Sequence, residues 1–232
     1  MQTILGASGQ IGRELALSLK RNFTSDIRLV SRNPHRVNET DQLVKADLLD
    51  AKQTSDAVKG SSIVYLTAGL PMDTQLWVEQ WPTMMRNVIA ACKTHQAKLV
   101  YFDNTYMYPQ TDTPQQEDAP FQPNGEKGRI RAVITDMLLE SMNKGEIEAV
   151  ICRAPEFYGP GKTQSIKRWQ LWLAGRFNQT IRDAAELLPR YESDNLFVSD
   201  KFQTRFPDFK ITTFEQGLTT IQQEKANDQK LL

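Results

Sequence analysis

Short runs of β-branched and apolar residues alternate with longer helical stretches through the first two thirds of the chain. Apolar residues at helical spacing predict helices, most clearly over Gln10–Arg21, Thr74–His95 and Gly125–Asn143. Repeated strand-helix units are typical of a parallel sheet covered by helices. The sequence therefore predicts an α/β fold with a doubly wound parallel sheet. The predicted strands are Gln2–Leu5, Ile27–Ser31, Leu43–Ala46, Ser62–Leu66, Lys98–Phe102 and Ala149–Arg153.

Charge and hydropathy exclude several classes of function. The 28 Lys and Arg residues balance the 28 Asp and Glu residues, so no net field would attract a nucleic-acid backbone. No apolar run approaches the roughly 20 residues that a bilayer requires, and Met1 leads almost directly into Ile4 and Leu5, without room for a signal peptide. We expect a cytoplasmic protein that binds a small-molecule substrate and neither nucleic acid nor a membrane.

The two cysteines, Cys92 and Cys152, lie in strongly apolar segments. Neither has a histidine or a second cysteine at the spacing of a metal site. We therefore expect both to be reduced core residues, and no metal to be bound.

The seven residues from Gly6 to Gly12, GASGQIG, join the first predicted strand to the first predicted helix. At such a junction the pyrophosphate of a dinucleotide meets backbone N–H groups and the positive end of a helix dipole. Gly6 permits the tight exit, Gly9 allows the phosphates to approach, and Gly12 allows the helix to pack on the strand. A turn of this kind also occurs as a plain connector, and its spacing is G-x-x-G-x-x-G rather than G-x-G-x-x-G. We expect a Rossmann cofactor site that also includes Ser8, Gln10 and Ile11.

The end of the second strand predicts which cofactor binds. A carboxylate about 20 residues past the glycines normally takes the ribose hydroxyls, but the strand ends here in Ser31 and Arg32. The guanidinium of Arg32 can bind a 2′-phosphate with two hydrogen bonds, and we expect Arg36 to add a second contact. The pattern favours NADP over NAD, whereas the alternative is that Arg32 only solvates the strand end.

The ends of the third and fourth strands supply further candidates. Asp47 is placed either to accept a hydrogen bond from the adenine amino group, with Leu48 lining that pocket, or to cap the next helix. Small residues after the fourth strand leave room for a ribose. These are Thr67, Ala68 and Gly69.

A long loop follows the fifth strand. Residues Tyr108–Asn124 contain four prolines and no periodicity, which excludes strand or helix over most of their length. Long loops within compact domains are usually functional, and this one starts where parallel sheets place their ligands.

Four stretches resemble the extended, epimerase/dehydratase-like branch of the short-chain dehydrogenase/reductase superfamily. They are GASGQIG, the DLLD that starts at Asp47, VYFDNTYMYP over Val100–Pro109, and RAPEFYGPG over Arg153–Gly161. The resemblance implies a Rossmann fold and hydride transfer at a nicotinamide. It also implies that the stretch after Arg153, with Ala154 and Pro155, forms the wall beneath the nicotinamide.

The resemblance breaks at the residues that move the proton. The family's serine position holds Asn104, followed by Thr105, and its Tyr-x-x-x-Lys pair is replaced by Lys127 and Arg131. These two cations share a helix face, so either they take over proton transfer and ribose binding or they are a solvated helix start. Tyr106 and Tyr108 offer alternative phenols, with packing under the proline-rich loop favoured for Tyr108. Asn104 can donate a hydrogen bond to a substrate carbonyl.

The carboxyl-terminal third is short for such a protein. We expect a cofactor domain over residues 1–161 and a reduced helical substrate lobe over residues 162–232, with helical stretches over Arg168–Gly175 and Thr180–Leu188. Either a block is missing between Gln164 and Trp169 or the lobe is naturally compact.

Two functions follow from these patterns. The first is an NADP(H)-dependent oxidoreductase or epimerase/dehydratase-like enzyme acting on a carbonyl or sugar-nucleotide-like substrate. The second is a catalytically impaired module that binds NADP(H) and acts as a sensor or regulator. Trp77, Trp81 and Met84, with the helix around Ile130–Met142, either form a homodimer interface or pack against the sheet.

Overall fold

The computed structural model describes residues 1–154, 179–191 and 196–229. Six strands of the first range form one parallel sheet in the order β3-β2-β1-β4-β5-β6. The predicted doubly wound sheet is confirmed, and each predicted strand boundary is correct to within one residue. The strands are β1 Gln2–Leu5, β2 Ile27–Ser31, β3 Gln42–Lys45, β4 Ile63–Leu66, β5 Lys98–Asp103 and β6 Ala149–Arg153.

Four helices connect these strands: α1 Gln10–Asn22, α2 Ala51–Val58, α3 Thr74–His95 and α4 Glu126–Asn143. Of these four helices, α1, α3 and α4 were predicted with stated boundaries, and those boundaries are correct to within one residue. Helix α3 starts where Asp73 accepts a hydrogen bond from the Leu76 N–H at 3.0 Å, and it ends at Gln96, whose φ of +54° is left-handed. None of the described helices is long and apolar enough to cross a membrane.

The two faces of the sheet are covered unequally. Helices α2, α3 and α4 pack on one face around a large apolar cluster that includes Trp81, Met85 and Leu99. Helix α1 covers the other face with a smaller cluster around Ile4, Ala16 and Leu29. The candidates Lys127 and Arg131 on α4 therefore lie on the more heavily packed side.

Only one of the two cysteines is a core residue. Cys92 on α3 is fully buried, as predicted, whereas Cys152 on β6 is exposed, so that prediction was wrong. Among the described residues β6 is the last strand of the sheet, and no described apolar cluster includes the face that carries Cys152. Side chains alternate along a strand, and the face of β6 that carries Cys152 also leaves Val150 57% exposed.

The chain divides into two compact units, one of residues 1–109 with 121–154 and the other of residues 110–120 with 155–232. Part of the long proline-rich loop thus belongs to the second unit. There Gln115 pairs with Phe197: the Gln115 N–H donates to the Leu196 carbonyl at 2.9 Å, and the Val198 N–H donates to the Gln115 carbonyl at 2.8 Å.

The described helices of the second unit are α5 Gln179–Ala185, a 3-10 helix Leu188–Tyr191, α6 Asp200–Arg205 and α7 Phe214–Gln229. The stretch predicted over Thr180–Leu188 is thus helical for most of its length. The predicted domain boundary at Gly161 and the predicted helix over Arg168–Gly175 lie outside the described residues.

Candidate functional site

The turn between β1 and α1 requires its glycines. Gly6 has a φ of +90°, and a Cβ on it would lie 2.4 Å from the Cα of Ala68. A Cβ on Gly12 would lie 2.8 Å from the Cα of Ala7 and 3.1 Å from Oγ1 of Thr67. Since backbone atoms cannot give way as the end of a side chain can, neither position accepts another residue without distortion. The turn thus brings the end of β4 against the start of α1.

The start of α1 is open to solvent. Its N-cap, Gly9, provides no side-chain hydrogen bond, and its first turn holds no acidic residue. Ser8, Gly9 and Gln10 are exposed, and Ile11 is half-buried. A Cβ on Gly9 would lie 3.4 Å from its nearest neighbouring atom, the Gly6 carbonyl oxygen. A helix start without a cap presents N–H groups and a positive dipole end, which together suit a diphosphate.

Ser8 connects this turn to the end of β2. Its hydroxyl donates to the Asn33 carbonyl at 2.8 Å and lies 2.7 Å from the hydroxyl of Ser31. Arg32 follows directly, is exposed, and makes no hydrogen bond or ion pair with any residue that the structure describes. The guanidinium of Arg36, in contrast, donates to a backbone carbonyl. Arg32 is therefore the free cation at this end of the strand.

Asp47 does not cap the helix that follows, so that one of its two interpretations was wrong. The N-cap of α2 is Asp50, whose carboxylate accepts from the Gln53 N–H at 2.9 Å. Asp47 instead accepts from the Leu49 N–H at 3.0 Å and shapes the turn after β3. Leu48 is buried. The adenine interpretation of Asp47 and Leu48 stays a prediction.

A buried ionic cluster lies at the carboxyl ends of β5 and β6. The side chain of Asp103 is completely buried. Its Oδ1 accepts from the Tyr101 hydroxyl at 3.0 Å and lies 3.5 Å from Nη1 of Arg131. Its Oδ2 accepts from the Thr135 hydroxyl at 3.1 Å and lies 3.6 Å from Nε of Arg153. One carboxylate thus joins β5, β6 and α4.

Arg131 is enclosed rather than solvated. Its Cζ lies 4.1 Å from the centre of the Trp81 ring and 4.9 Å from that of Trp77, and its Nη1 donates to the Tyr101 hydroxyl at 2.6 Å. A guanidinium does not lose its proton in proteins, so Arg131 can hold other groups but cannot transfer a proton. Burial raises the pKa of Tyr101, which leaves that phenol protonated near neutrality.

Lys127 is also buried, with no exposed side-chain surface, and its Nζ donates to the Thr74 hydroxyl at 2.5 Å at the start of α3. The interpretation of Lys127 and Arg131 as a solvated helix start is therefore wrong. The four-residue spacing does place both side chains toward the interior, as one face of α4 requires.

The rim of the site is formed by the segment after β5. Oδ1 of Asn104 accepts from the Tyr106 N–H at 3.0 Å, so the amide Nδ2 is the group that can donate to a substrate oxygen. The half-buried ring of Tyr106 stacks on Trp77, with 6.4 Å between ring centres. Tyr108 is buried, packs edge-on against Phe121 at 5.4 Å, and accepts a hydrogen bond from Arg153, consistent with a packing role.

The predicted wall is described only at its start. The Ala154 N–H donates to the Asp103 carbonyl at 3.2 Å, which fixes the chain just after β6. Pro155 and the rest of the stretch to Gly161 lie outside the described residues. In the described part of the chain, no group of three His, Cys, Asp or Glu side chains could hold a metal ion.

Sequence reasoning missed Asp103 and Thr74. The signal for Asp103 was present: Leu99, Tyr101 and Asp103 alternate along β5 toward the same buried face, so the carboxylate had to meet a cation. No comparable signal marked Thr74, because its partner lies 53 residues away in the chain.

The family comparison matches residues 3–183 to a sequence model described as the NAD dependent epimerase/dehydratase family. That range covers more than half of the chain. The chain belongs to this family. A comparison with curated proteins found no match.

Solved structures with the same fold include two dehydrogenases and an epimerase. Uronate dehydrogenase from Agrobacterium tumefaciens is 21% identical, with 64% of this chain and 57% of that chain covered and a TM-score of 0.57. Glucuronic acid dehydrogenase from Chromohalobacter salexigens is 18% identical, with 70% and 63% covered and a TM-score of 0.62. UDP-glucuronic acid 4-epimerase from Bacillus cereus, solved in complex with NAD, is 20% identical, with 69% and 58% covered and a TM-score of 0.59. The chain spans less than two thirds of the length of these structures.

The residues of this epimerase/dehydratase family member fit the phosphate-bearing part of a nicotinamide dinucleotide. The uncapped α1 start is exposed, and a Cβ on Gly69 across the turn would meet nothing within 4 Å. Space and N–H donors thus coincide at the carboxyl edge of the sheet, where parallel α/β proteins bind nucleotides.

Proposed function

We propose that this chain binds NADP(H) across the β1-α1 turn and transfers a hydride to or from a carbonyl or sugar-nucleotide-like substrate. The observation that carries the proposal is the uncapped, exposed start of α1, behind two glycines whose replacement would collide with backbone. Membership of the NAD dependent epimerase/dehydratase family supports the same cofactor class. When bound, the cofactor supplies or accepts the hydride.

The chain's own side chains have distinct roles in this proposal. Asn104 donates from Nδ2 to the substrate oxygen and so stabilises developing negative charge. Lys127 or Tyr106 carries the proton that accompanies the hydride. Arg131 binds the cofactor ribose or holds the surrounding wall in place, because its guanidinium stays charged.

The preference for NADP over NAD depends on Arg32. Its free, exposed guanidinium at the end of β2, where no carboxylate stands, supports the phosphorylated cofactor. The structural neighbours described as complexes contain NAD, so NAD is the competing choice. Titration of NADPH and of NADH, with protein fluorescence or melting temperature as readout, tests the proposal. Saturable binding of either cofactor supports the proposed site at the β1-α1 turn, and binding of neither cofactor contradicts it.

A sensor or regulatory module is the second candidate. It is favoured by the replacement of the family's proton-transfer tyrosine and by the burial of Arg131 against Asp103 and two tryptophans. Incubation of NADPH with a broad panel of carbonyl compounds separates the two functions. Turnover that Lys127→Ala abolishes supports the enzyme, whereas tight binding without consumption supports the sensor.

A homodimer through α3 and α4 also stays a proposal, but the residues assigned to its interface differ from those that the sequence suggested. Trp77, Trp81 and Met84 are at most 6% exposed, so they pack within the chain and are not available to a partner. Val78 on α3 and Val133 on α4 are each 42% exposed and are the apolar side chains left on these helices for a second copy. Light scattering over a range of concentrations tests this, and a constant monomer contradicts it.

The cytoplasmic location stays a prediction.

A further inference from the structure

Two guanidiniums share one carboxylate at the carboxyl ends of β5 and β6. In the described part of the chain, Asp103 is the single acidic partner of both Arg131 and Arg153. The cluster therefore carries one positive charge that no carboxylate of the described residues balances. The chain as a whole has equal numbers of acidic and basic residues, so this is a local excess and not a general one.

The same guanidiniums have unused donors. Nε of Arg131 and Nε of Arg153 are both buried and have no hydrogen-bond partner. Each also lies 3.5 Å or more from Asp103 at its closest ion-pair contact, longer than a good charge-assisted hydrogen bond. Buried donors without acceptors are costly, so such an arrangement favours an additional acceptor.

Arg153 is the member of the cluster that reaches the surface. Its side chain is 16% exposed, compared with 7% for Arg131, and it lies at the last position of β6. Its Cζ lies 5.2 Å from the centre of the Tyr108 ring and 5.4 Å from that of Phe121. Nη1 donates to the Tyr108 hydroxyl, and Nη2 makes no hydrogen bond with the described residues. A guanidinium oriented in this way by aromatic rings is suited to a planar or tetrahedral oxyanion.

We propose that Arg153, positioned by Asp103, binds an oxyanion of the ligand, a carboxylate or a phosphate, next to the candidate catalytic segment at Asn104. The proposal narrows the substrate class of the proposed enzyme to an anionic compound, and in that respect it rests on the proposed function. Binding of the anion itself does not require the cofactor.

The test titrates the cofactor-free, full-length chain with three sugars at constant ionic strength: glucuronate, glucose 1-phosphate and glucose. Tryptophan fluorescence is the readout, because Trp77 and Trp81 contact Arg131 within the same cluster, and melting temperature is the second readout. At least one anionic sugar is expected to bind about tenfold more tightly than glucose, the scale of one charge-assisted hydrogen bond. The stronger of the two anions identifies the group as carboxylate or phosphate. Equal affinity for all three sugars, or no binding of any, overturns the proposal.

Variants locate the site. Arg153→Gln is expected to lower the affinity for the anionic sugar about tenfold or more. Arg153→Lys should lower it by less, because lysine keeps the charge but cannot make the two parallel hydrogen bonds of a guanidinium. Lys98→Gln is the matched control: it removes an exposed cation at the opposite end of β5, paired with Glu148, and should leave the affinity unchanged. Circular dichroism verifies the fold. If Arg153→Gln does not fold, Arg153→Lys decides, and an affinity equal to that of the wild type overturns the proposal.

A parallel NADPH titration separates this inference from the proposed function. Anion binding that needs Arg153 in a protein that binds no NADPH contradicts the proposed function and supports the anion site. If the protein binds NADPH but its affinity for the anion does not change in Arg153→Gln, the result supports the proposed function and contradicts the anion site. An anion held by the β1-α1 turn would also be insensitive to Arg153→Gln and would overturn the proposal.

Discussion

The turn at Gly6–Gly12 and the cluster around Asp103 lie at the same edge of the sheet but are built differently. The turn is a local structure, in which exposed backbone N–H groups are the proposed binding groups and glycines provide the space. The cluster takes side chains from β5, β6, α3 and α4, and charge and burial hold it together. Local backbone sites tolerate changes elsewhere in the protein, whereas a buried ionic cluster fails when any one partner is removed.

The largest expected effect comes from removing the shared carboxylate. Asp103→Asn leaves the guanidiniums of Arg131 and Arg153 without a counter-charge and should lower the free energy of unfolding by about 3–5 kcal/mol. Urea denaturation measures this. Glu148→Gln, which removes an exposed carboxylate paired with Lys98, is the control and should stay close to the wild type. A loss in Asp103→Asn no larger than in the control would show that the cluster is not a stabilising unit.

A smaller effect is expected in the turn. Gly6→Ala combines a left-handed φ with a collision against the Ala68 backbone. It should lower the free energy of unfolding by about 3 kcal/mol and also abolish NADPH binding. Gly60→Ala has a similar φ of +77° but open space around the new Cβ, and it should cost only about 1 kcal/mol. Thermal and urea unfolding compare the two. Equal losses would mean that the close approach of β4 is not a constraint.

Arg32 tests the ligand side of the turn without changing its backbone. Arg32→Gln should weaken NADPH binding about 10-fold to 100-fold and leave NADH binding unchanged, because only the 2′-phosphate needs the guanidinium. Arg36→Gln is the control, since that side chain already donates to a backbone carbonyl. Isothermal titration of both cofactors measures the difference. If Arg32→Gln weakens NADH and NADPH equally, the proposed discrimination is wrong.

The smallest effect, when taken over a single pH unit, is the alkaline response of the packed face. Burial raises the pKa of Cys92 from 9.0 to about 12, so the unfolded thiol ionises above pH 9 while the folded thiol keeps its proton. Its contribution to stability is complete below pH 9 and falls as the pH rises toward 12, by about 1 kcal/mol over the first pH unit.

Urea unfolding between about pH 8 and pH 11 should therefore show a shallower alkaline decline in Cys92→Ala than in the wild type. Cys152→Ala is the control on the exposed strand face and should follow the wild type more closely. Identical pH slopes for Cys92→Ala and the wild type would refute this assignment.

Several features of the fold and the site were predictable because they are local. The βα alternation predicted all six strands of the described sheet, and the GASGQIG sequence predicted a turn that joins β1 to α1. Features that depend on distant partners were not predictable in the same way. The burial of Lys127 depends on Thr74, and the exposure of Cys152 depends on which helices pack against its face of the described sheet.

The sequence by itself determined the parallel sheet, the position of the glycine-rich turn after β1 and the replacement of the family's tyrosine, because each depends on the order and spacing of neighbouring residues. Only the tertiary structure decided that Lys127 and Arg131 are buried, that Asp103 holds two arginines, and that Asp47 shapes a turn without capping α2. The physical reason is that a buried charge is stable only next to its partner, and those partners come from strands and helices far apart in the chain.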